Sequence, residues 1–190
     1  MQKRTWCRAS CLAALLLATA APVARAQNYV SPFIGNNFGG YSGCQSVVSC
    51  QSPASNVGVA LGRGRSVAFE EEFLYAKDFF GTSASQSTNL LTLTSNIVVG
   101  PRFGYVRPYG LVGLGFLKAN ATLSASQLTS SDTGVGWNLG GGLEITGRHF
   151  GVRGDVRQVH GLQDFGIVGL PITGLKLDFN RTSAGIVLRF

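Results

Sequence analysis

Ser183-Ala184-Gly185-Ile186-Val187-Leu188-Arg189-Phe190 is the stretch that decides the fold, because it alternates strictly and stops on an aromatic residue. Counting back from Phe190, the apolar residues Leu188, Ile186 and Ala184 share one face. Arg189, Val187, Gly185, Ser183 and, one step earlier, Arg181 take the other. A period of two is the signature of a strand with two different environments on its two sides. One face suits lipid and the other a polar interior.

Working towards the N-terminus, the same alternation marks eight segments, each near the 9–11 tilted residues that a strand needs to cross a bilayer. They run from about Tyr29 to Phe38, Asn56 to Gly62, Val67 to Phe79, Asn89 to Val99, Pro108 to Lys118, Gly134 to Thr146, Phe150 to Val159 and Lys176 to Phe190. The first has an ambiguous facing, since Pro32 and several Asn interrupt it. In the third, Val67, Phe69, Phe73 and Tyr75 point outward, and Glu70, Glu72, Ala76 and Asp78 point inward; Glu71 breaks the pattern by landing on the lipid side. The seventh sets Phe150, Val152 and Val156 against Arg153, Asp155 and Arg157. Trp137, near one end of the sixth, suits an interfacial aromatic girdle.

Connections after the second, fourth and sixth segments are short; the others are longer and rich in Gly, Ser, Thr and Asn. That rhythm matches short periplasmic turns and longer external loops. Arg63, Arg65, Arg102, Arg107 and Arg148 fall in or beside the short turns, where they stay hydrated.

At the other end of the chain, Lys3, Arg4 and Arg8 precede an apolar stretch from Leu12 to Ala24 that is too short to span a membrane. With the small-x-small ending Ala24-Arg25-Ala26, it reads as a cleaved secretory signal over residues 1–26, leaving Gln27 as the mature N-terminus. Past it no apolar run reaches the roughly 20 residues of a membrane helix. Only helices and closed barrels satisfy the backbone inside lipid, so the expectation for 27–190 is an all-β, eight-stranded antiparallel up-and-down transmembrane β-barrel. The formal charge is +7, of which Lys3, Arg4, Arg8 and Arg25 supply four, so the mature chain carries +3. That is too little to point to nucleic acid. Cys44 and Cys50 remain after processing and, in an exported chain, are expected to close a small loop as a disulfide. Metal binding would require more ligands than this one pair, with no His within 90 residues.

Pro108-Tyr109-Gly110, Trp137-Asn-Leu-Gly-Gly-Gly-Leu-Glu144, Gly151-Val-Arg-Gly-Asp155-Val-Arg157 and the closing Gly185-x-x-Leu188-x-Phe190 together resemble the outer membrane protein beta-barrel domain family, small barrels similar to the OmpA transmembrane domain. The resemblance covers essentially the whole mature chain and implies the bacterial outer membrane as its location. It also implies that Ser183, Gly185, Leu188 and Phe190 form the C-terminal signal read by the barrel-assembly machinery. It implies no particular activity, because members of the family differ in their loops.

The interior of an eight-stranded barrel is just wide enough for side chains to fill. Glu70, Glu72, Glu144 and Asp155 are expected to face Arg153, Arg157, Arg181 and Arg189 there, pairing as a structural core that plugs the lumen; the alternative is a polar gate or narrow ion path. No cofactor is implied, since no complete Gly-x-Gly-x-x-Gly opens a helix. No enzyme is expected either: His149 sits in a turn, and His160, near the outer rim, has Leu162 rather than a Ser two positions on. The expected role is structural or surface-interacting, carried by four external loops (Gly39 to Ser55, Phe80 to Thr88, Asn120 to Thr133 and Gly161 to Leu175). A narrow passive pore is the second reading, and a lipid-modifying enzyme the last. The expected partners are outer-membrane lipid, the assembly machinery and a surface ligand, with the barrel a monomer because closure leaves no strand edge to pair.

Overall fold

Alternation of apolar and polar residues at period two cannot bury a helix face, but it lets a strand present lipid on one side and a packed interior on the other. The computed structural model describes residues 27–40, 54–79, 86–123, 128–165 and 175–190. They form eight strands: β1 (Asn28–Phe38), β2 (Ala54–Gly64), β3 (Val67–Lys77), β4 (Gln86–Val99), β5 (Val106–Leu123), β6 (Leu128–Thr146), β7 (Phe150–Phe165) and β8 (Leu175–Arg189). Each is antiparallel to the next, and β8 pairs back onto β1 to close the barrel. Closure is completed at the chain ends, where the Asn28 and Phe190 amides donate to each other's carbonyls at 3.2 and 3.1 Å. Among the described residues no helix is long and apolar enough to cross a membrane. The expected signal segment 1–26 and the cysteines Cys44 and Cys50 lie outside the described residues.

The outer surface carries an apolar band that includes Ile34, Val57, Leu61, Phe73, Leu93, Ile97, Val112, Leu114, Phe116, Leu139 and Ile186, all exposed. So much contiguous apolar surface is untenable in water and matches the lipid-facing belt of a membrane barrel. Phe103, Tyr105, Phe150 and Phe190 ring the end with short turns.

Several boundaries and facings differ from the sequence reading. β1 turns out to face Tyr29, Ser31, Phe33, Gly35 and Asn37 inward. Pro32, which has no amide hydrogen, lies where the β1–β8 pairing skips from Val30 to Phe33. β3 ends at Lys77 rather than Phe79. Asp78 adopts a left-handed φ of 54°, which reverses the alternation and turns Phe79 into the barrel, fully buried. β5 and β6 continue well past Lys118 and Gly134, pairing as far as Leu123 with Leu128, so most of the segment expected as the third loop is strand. β7 and β8 likewise pair to Phe165 and Leu175, past an irregularity between His160 and Asp164.

Two glycines show how so narrow a barrel holds aromatic rings. Tyr29 faces Gly62 across the β1–β2 ladder and Phe33 faces Gly58. A Cβ added at Gly62 would lie 2.1 Å from the Tyr29 ring, and one at Gly58 would lie 2.4 Å from Phe33. The tip of each ring lies against a bare backbone, which is the close approach that glycine permits.

Candidate functional site

The interior is layered along the barrel axis, and charge occupies two separate layers. β3 and β7 are four strands apart in an eight-stranded ring, so they face each other across the full diameter. Alternation then aims Glu70 and Glu72 from β3 at Arg153, Asp155 and Arg157 from β7, all of them buried. Arg153 pairs with Glu70 through Nη1, and its Nη2 lies 3.2 Å from the second Glu70 oxygen. Arg157 donates from Nε to Asp155 at 3.1 Å and reaches Glu72 through Nη2 at 2.9 Å. From β8, Arg181 grips Glu72 with both terminal nitrogens, at 2.6 and 3.0 Å. Three carboxylates thus meet three guanidiniums in the middle of the barrel.

Neutral side chains complete this layer. The Tyr29 hydroxyl donates to Glu70 at 2.7 Å, and the Ser183 hydroxyl donates to Asp155 at 2.8 Å. The Tyr109 hydroxyl accepts from Arg153 Nε at 2.6 Å and donates to Asp155 at 2.9 Å, while its ring lies under the same guanidinium, 4.7 Å away. Arg181 stands 5.0 Å over the Phe33 ring. Buried ions are tolerable only when paired and hydrogen-bonded in this way, and removing one partner typically costs about 3–5 kcal/mol. Beside Arg153, Asp155 and Arg157 lies a cavity of about 10 Å³, roughly the room for one water molecule.

Glu144 and Arg189 do not join this layer. They pair with each other nearer the short-turn end, where Arg102 and Arg107 each approach Glu144 to 3.6 Å. Arg107 corrects the sequence reading that placed it beside a hydrated turn. It is the second residue of β5, points into the barrel and is 1% exposed, with Gly100 and Ser66 carbonyls 3.4 Å from its nitrogens. The adjacent Pro108 and the glycines around it hid the start of the strand.

The sequence reading also missed an apolar layer at the outer end. Leu74, Ala76, Leu90, Leu117, Ala119, Val159, Leu177 and Phe179 pack there with Phe79, whose ring meets Phe179 edge-on at 4.8 Å. Leu177 and Phe179 share the parity of Arg181 and Arg189, so the signal was present in β8. Phe79 depended on the Asp78 turn, which alternation alone does not reveal. Between the apolar and charged layers lie amide pairs, with Asn56 donating to Asn37 and Asn138 to Asn96, each at 2.9 Å.

Outside the barrel, Glu71 faces the lipid band on β3, opposite Ser95 of β4. The Ser95 hydroxyl lies 2.7 and 2.8 Å from its two carboxylate oxygens. Trp137, His160 and Asp178 align across β6, β7 and β8. The His160 ring stacks on Trp137 at 4.5 Å, and its Nδ1 is 3.1 Å from Asp178. Among the described residues no serine or cysteine is hydrogen-bonded to His160, and no group of three or more metal-ligating side chains forms. In the C-terminal octapeptide, Ser183 and Gly185 face inward while Leu188 and Phe190 face outward, Phe190 strongly exposed.

Solved structures with this architecture include Neisserial surface protein A, which is 14% identical over 86% of this chain and 97% of that one, with a TM-score of 0.64. Another is Ail, the attachment invasion locus protein of Yersinia pestis, solved in complex with the heparin analogue sucrose octasulfate; it is 14% identical over 87% and 99%, with a TM-score of 0.57. A third is the N-terminal β-barrel domain of Pseudomonas aeruginosa OprF, 17% identical over 86% and 97%, with a TM-score of 0.51. At such identities the likeness is one of fold. No curated protein matches the chain. The model of the outer membrane protein beta-barrel domain matches residues 9–190, nearly the whole sequence, and the chain belongs to that family.

Proposed function

We propose that this outer-membrane barrel is a non-conducting, non-enzymatic scaffold whose role is structural or surface-interacting and is carried by the external ends of its strands and the loops they bear. The observation that carries this reading is the pairing across the interior: Arg181 clamped on Glu72 and Arg153 on Glu70, beneath an apolar layer that includes Phe79 and Phe179. A solute path would have to break buried ion pairs and wet an apolar constriction at the same time. With the lumen closed, recognition falls to the outer surface. There the β5–β6 and β7–β8 hairpins carry their pairing to Leu123 with Leu128 and to Phe165 with Leu175.

Two of the similar structures belong to proteins named for a surface or an attachment role. Their likeness to this chain is in fold, and the surface role is our reading. It includes export by cleavage after Ala26, a Cys44–Cys50 disulfide in the first loop, and assembly directed by Ser183, Gly185, Leu188 and Phe190. The test is to shorten residues 41–53, 80–85, 124–127 and 166–174 one segment at a time. Each variant is then assayed for insertion and for attachment of expressing cells to host-type and envelope surfaces. The reading expects attachment to fall while insertion persists; attachment unchanged in all four variants would overturn it.

A further inference from the structure

The short-turn end of the barrel is strongly basic. It carries Arg63, Arg65, Arg102, Arg107, Arg148 and Arg189, whereas of the nine acidic residues, all of them among the described residues, only Glu144 lies there. Glu144 is buried and already shared by three arginines. In the middle layer carboxylates and guanidiniums balance; at this end they do not.

Part of the excess converges on one concavity. Arg63 at the end of β2, Arg65 and Ser66 in the following turn, and Arg102 in the β4–β5 turn line a recess of about 730 Å³ together with Gly64, Val67 and Phe69. Its lining contains no carboxylate. Val67 and Phe69 point outward at the edge of the lipid band, 62% and 55% exposed. Phe69 lies directly beside Arg63 in the β2–β3 ladder. On the other side the apolar wall continues through Val99 and Ile97, their partners on β4. The recess therefore has cations at the water side and an apolar wall running into the membrane. Arg102 is held in place by Glu144 at 3.6 Å. Burial, and then the like charges of Arg189, Arg107 and Arg65, push its guanidinium below the ordinary arginine range, against the pull of Glu144. It is a cation that further negative charge would stabilise.

We propose that this recess binds one anionic phospholipid of the periplasmic leaflet, its headgroup phosphate held by Arg63, Arg65 and Arg102 and an acyl chain lying over Val67 and Phe69. Short turns mark the periplasmic side of such barrels, which places the recess in that leaflet. A phosphodiester supplies the acceptor oxygens that planar guanidiniums match, and a net negative headgroup answers the uncompensated charge. A headgroup that carries its own ammonium offsets that charge and is expected to bind less well. This inference is independent of what the external loops recognise.

The experiment uses the full mature barrel refolded in an uncharged maltoside detergent and titrated with phosphatidylglycerol, phosphatidylcholine or inorganic phosphate. Bound lipid is counted by native mass spectrometry, with thermal unfolding followed in parallel. The expected result is a single phosphatidylglycerol bound in clear preference to phosphatidylcholine. Arg63→Gln/Arg65→Gln should bind about 30-fold more weakly, given a loss of about 1 kcal/mol per basic residue at an anionic lipid. Arg148→Gln, in a different turn at the same end, should bind normally. Should the double variant fail to refold, Arg65→Gln alone is expected to weaken binding about fivefold. Equal binding of the two lipids, or an equal loss on Arg148→Gln, would show only a diffuse basic rim and overturn the site. Inorganic phosphate binding as tightly as the lipid would overturn the role of the apolar wall.

Discussion

Arg181 of β8 and Glu72 of β3, 109 residues apart in sequence, form a two-pronged ion pair inside the barrel, with nitrogen–oxygen distances of 2.6 and 3.0 Å. Glu72 also receives Arg157 from β7 at 2.9 Å. One carboxylate therefore ties three strands together. Glu72→Gln leaves two guanidiniums short of a counter-charge and should destabilise the barrel by about 3–5 kcal/mol. Urea unfolding in lipid vesicles, followed by tryptophan fluorescence, measures this directly. Adding Arg181→Met should recover part of the loss, because the stranded charge is then removed; no recovery would mean that Arg181 is not the partner that matters.

The outer apolar layer makes a separate prediction. Phe179 is buried and meets Phe79 edge-on, so Phe179→Ala leaves a cavity in a layer that cannot readily collapse. A cost of about 3–5 kcal/mol is expected. The measurement is the temperature to which samples must be heated before electrophoresis for the folded band to be lost, and a variant indistinguishable from the parent would contradict the packing.

Gly62 tests the fit between ring and backbone. Gly62→Ala drives a methyl group into the Tyr29 ring and should lower stability by about 1–3 kcal/mol through overpacking. It should also loosen the 2.7 Å bond from Tyr29 to Glu70. In the background of Tyr29→Ala the same change should cost far less, a coupling that a double-mutant cycle reads out.

Glu71 lies on the lipid side between Phe69 and Phe73, with Ser95 as its partner. Glu71→Leu should stabilise the barrel by about 1 kcal/mol, since acidic side chains at membrane depth carry a modest penalty. A loss of stability in vesicle unfolding would show that the Glu71–Ser95 pair is a structural requirement.

Much of this was readable from alternation. In β3 and β7 the contrast between Phe73 or Val152 outside and Glu72 or Arg153 inside is strong enough to assign both faces. It failed where the contrast is weak or the backbone departs from a regular strand. Pro32 and the asparagines of β1 blurred its facing, and Asp78 turned Phe79 inward through a φ that no periodicity reports. Arg107 was hidden by its place beside Pro108. The outer ends of β5 and β6 have the sequences Ala121-Thr122-Leu123 and Leu128-Thr129-Ser130-Ser131-Asp132-Thr133, which show no apolar period and read as loop. The division of the charges into a balanced middle layer and a cation-rich lower one is a matter of depth. It needs strand register, which the facing of single strands does not supply.

The central claim is that the lumen is closed, and single-channel recording of the refolded barrel, Gln27 to Phe190, in a planar bilayer tests it most directly. The account predicts silence from protein that shows the heat-dependent gel shift of a folded barrel. Reproducible conductance steps that change on Glu72→Gln or Arg153→Gln would contradict it and make the charged layer an ion path.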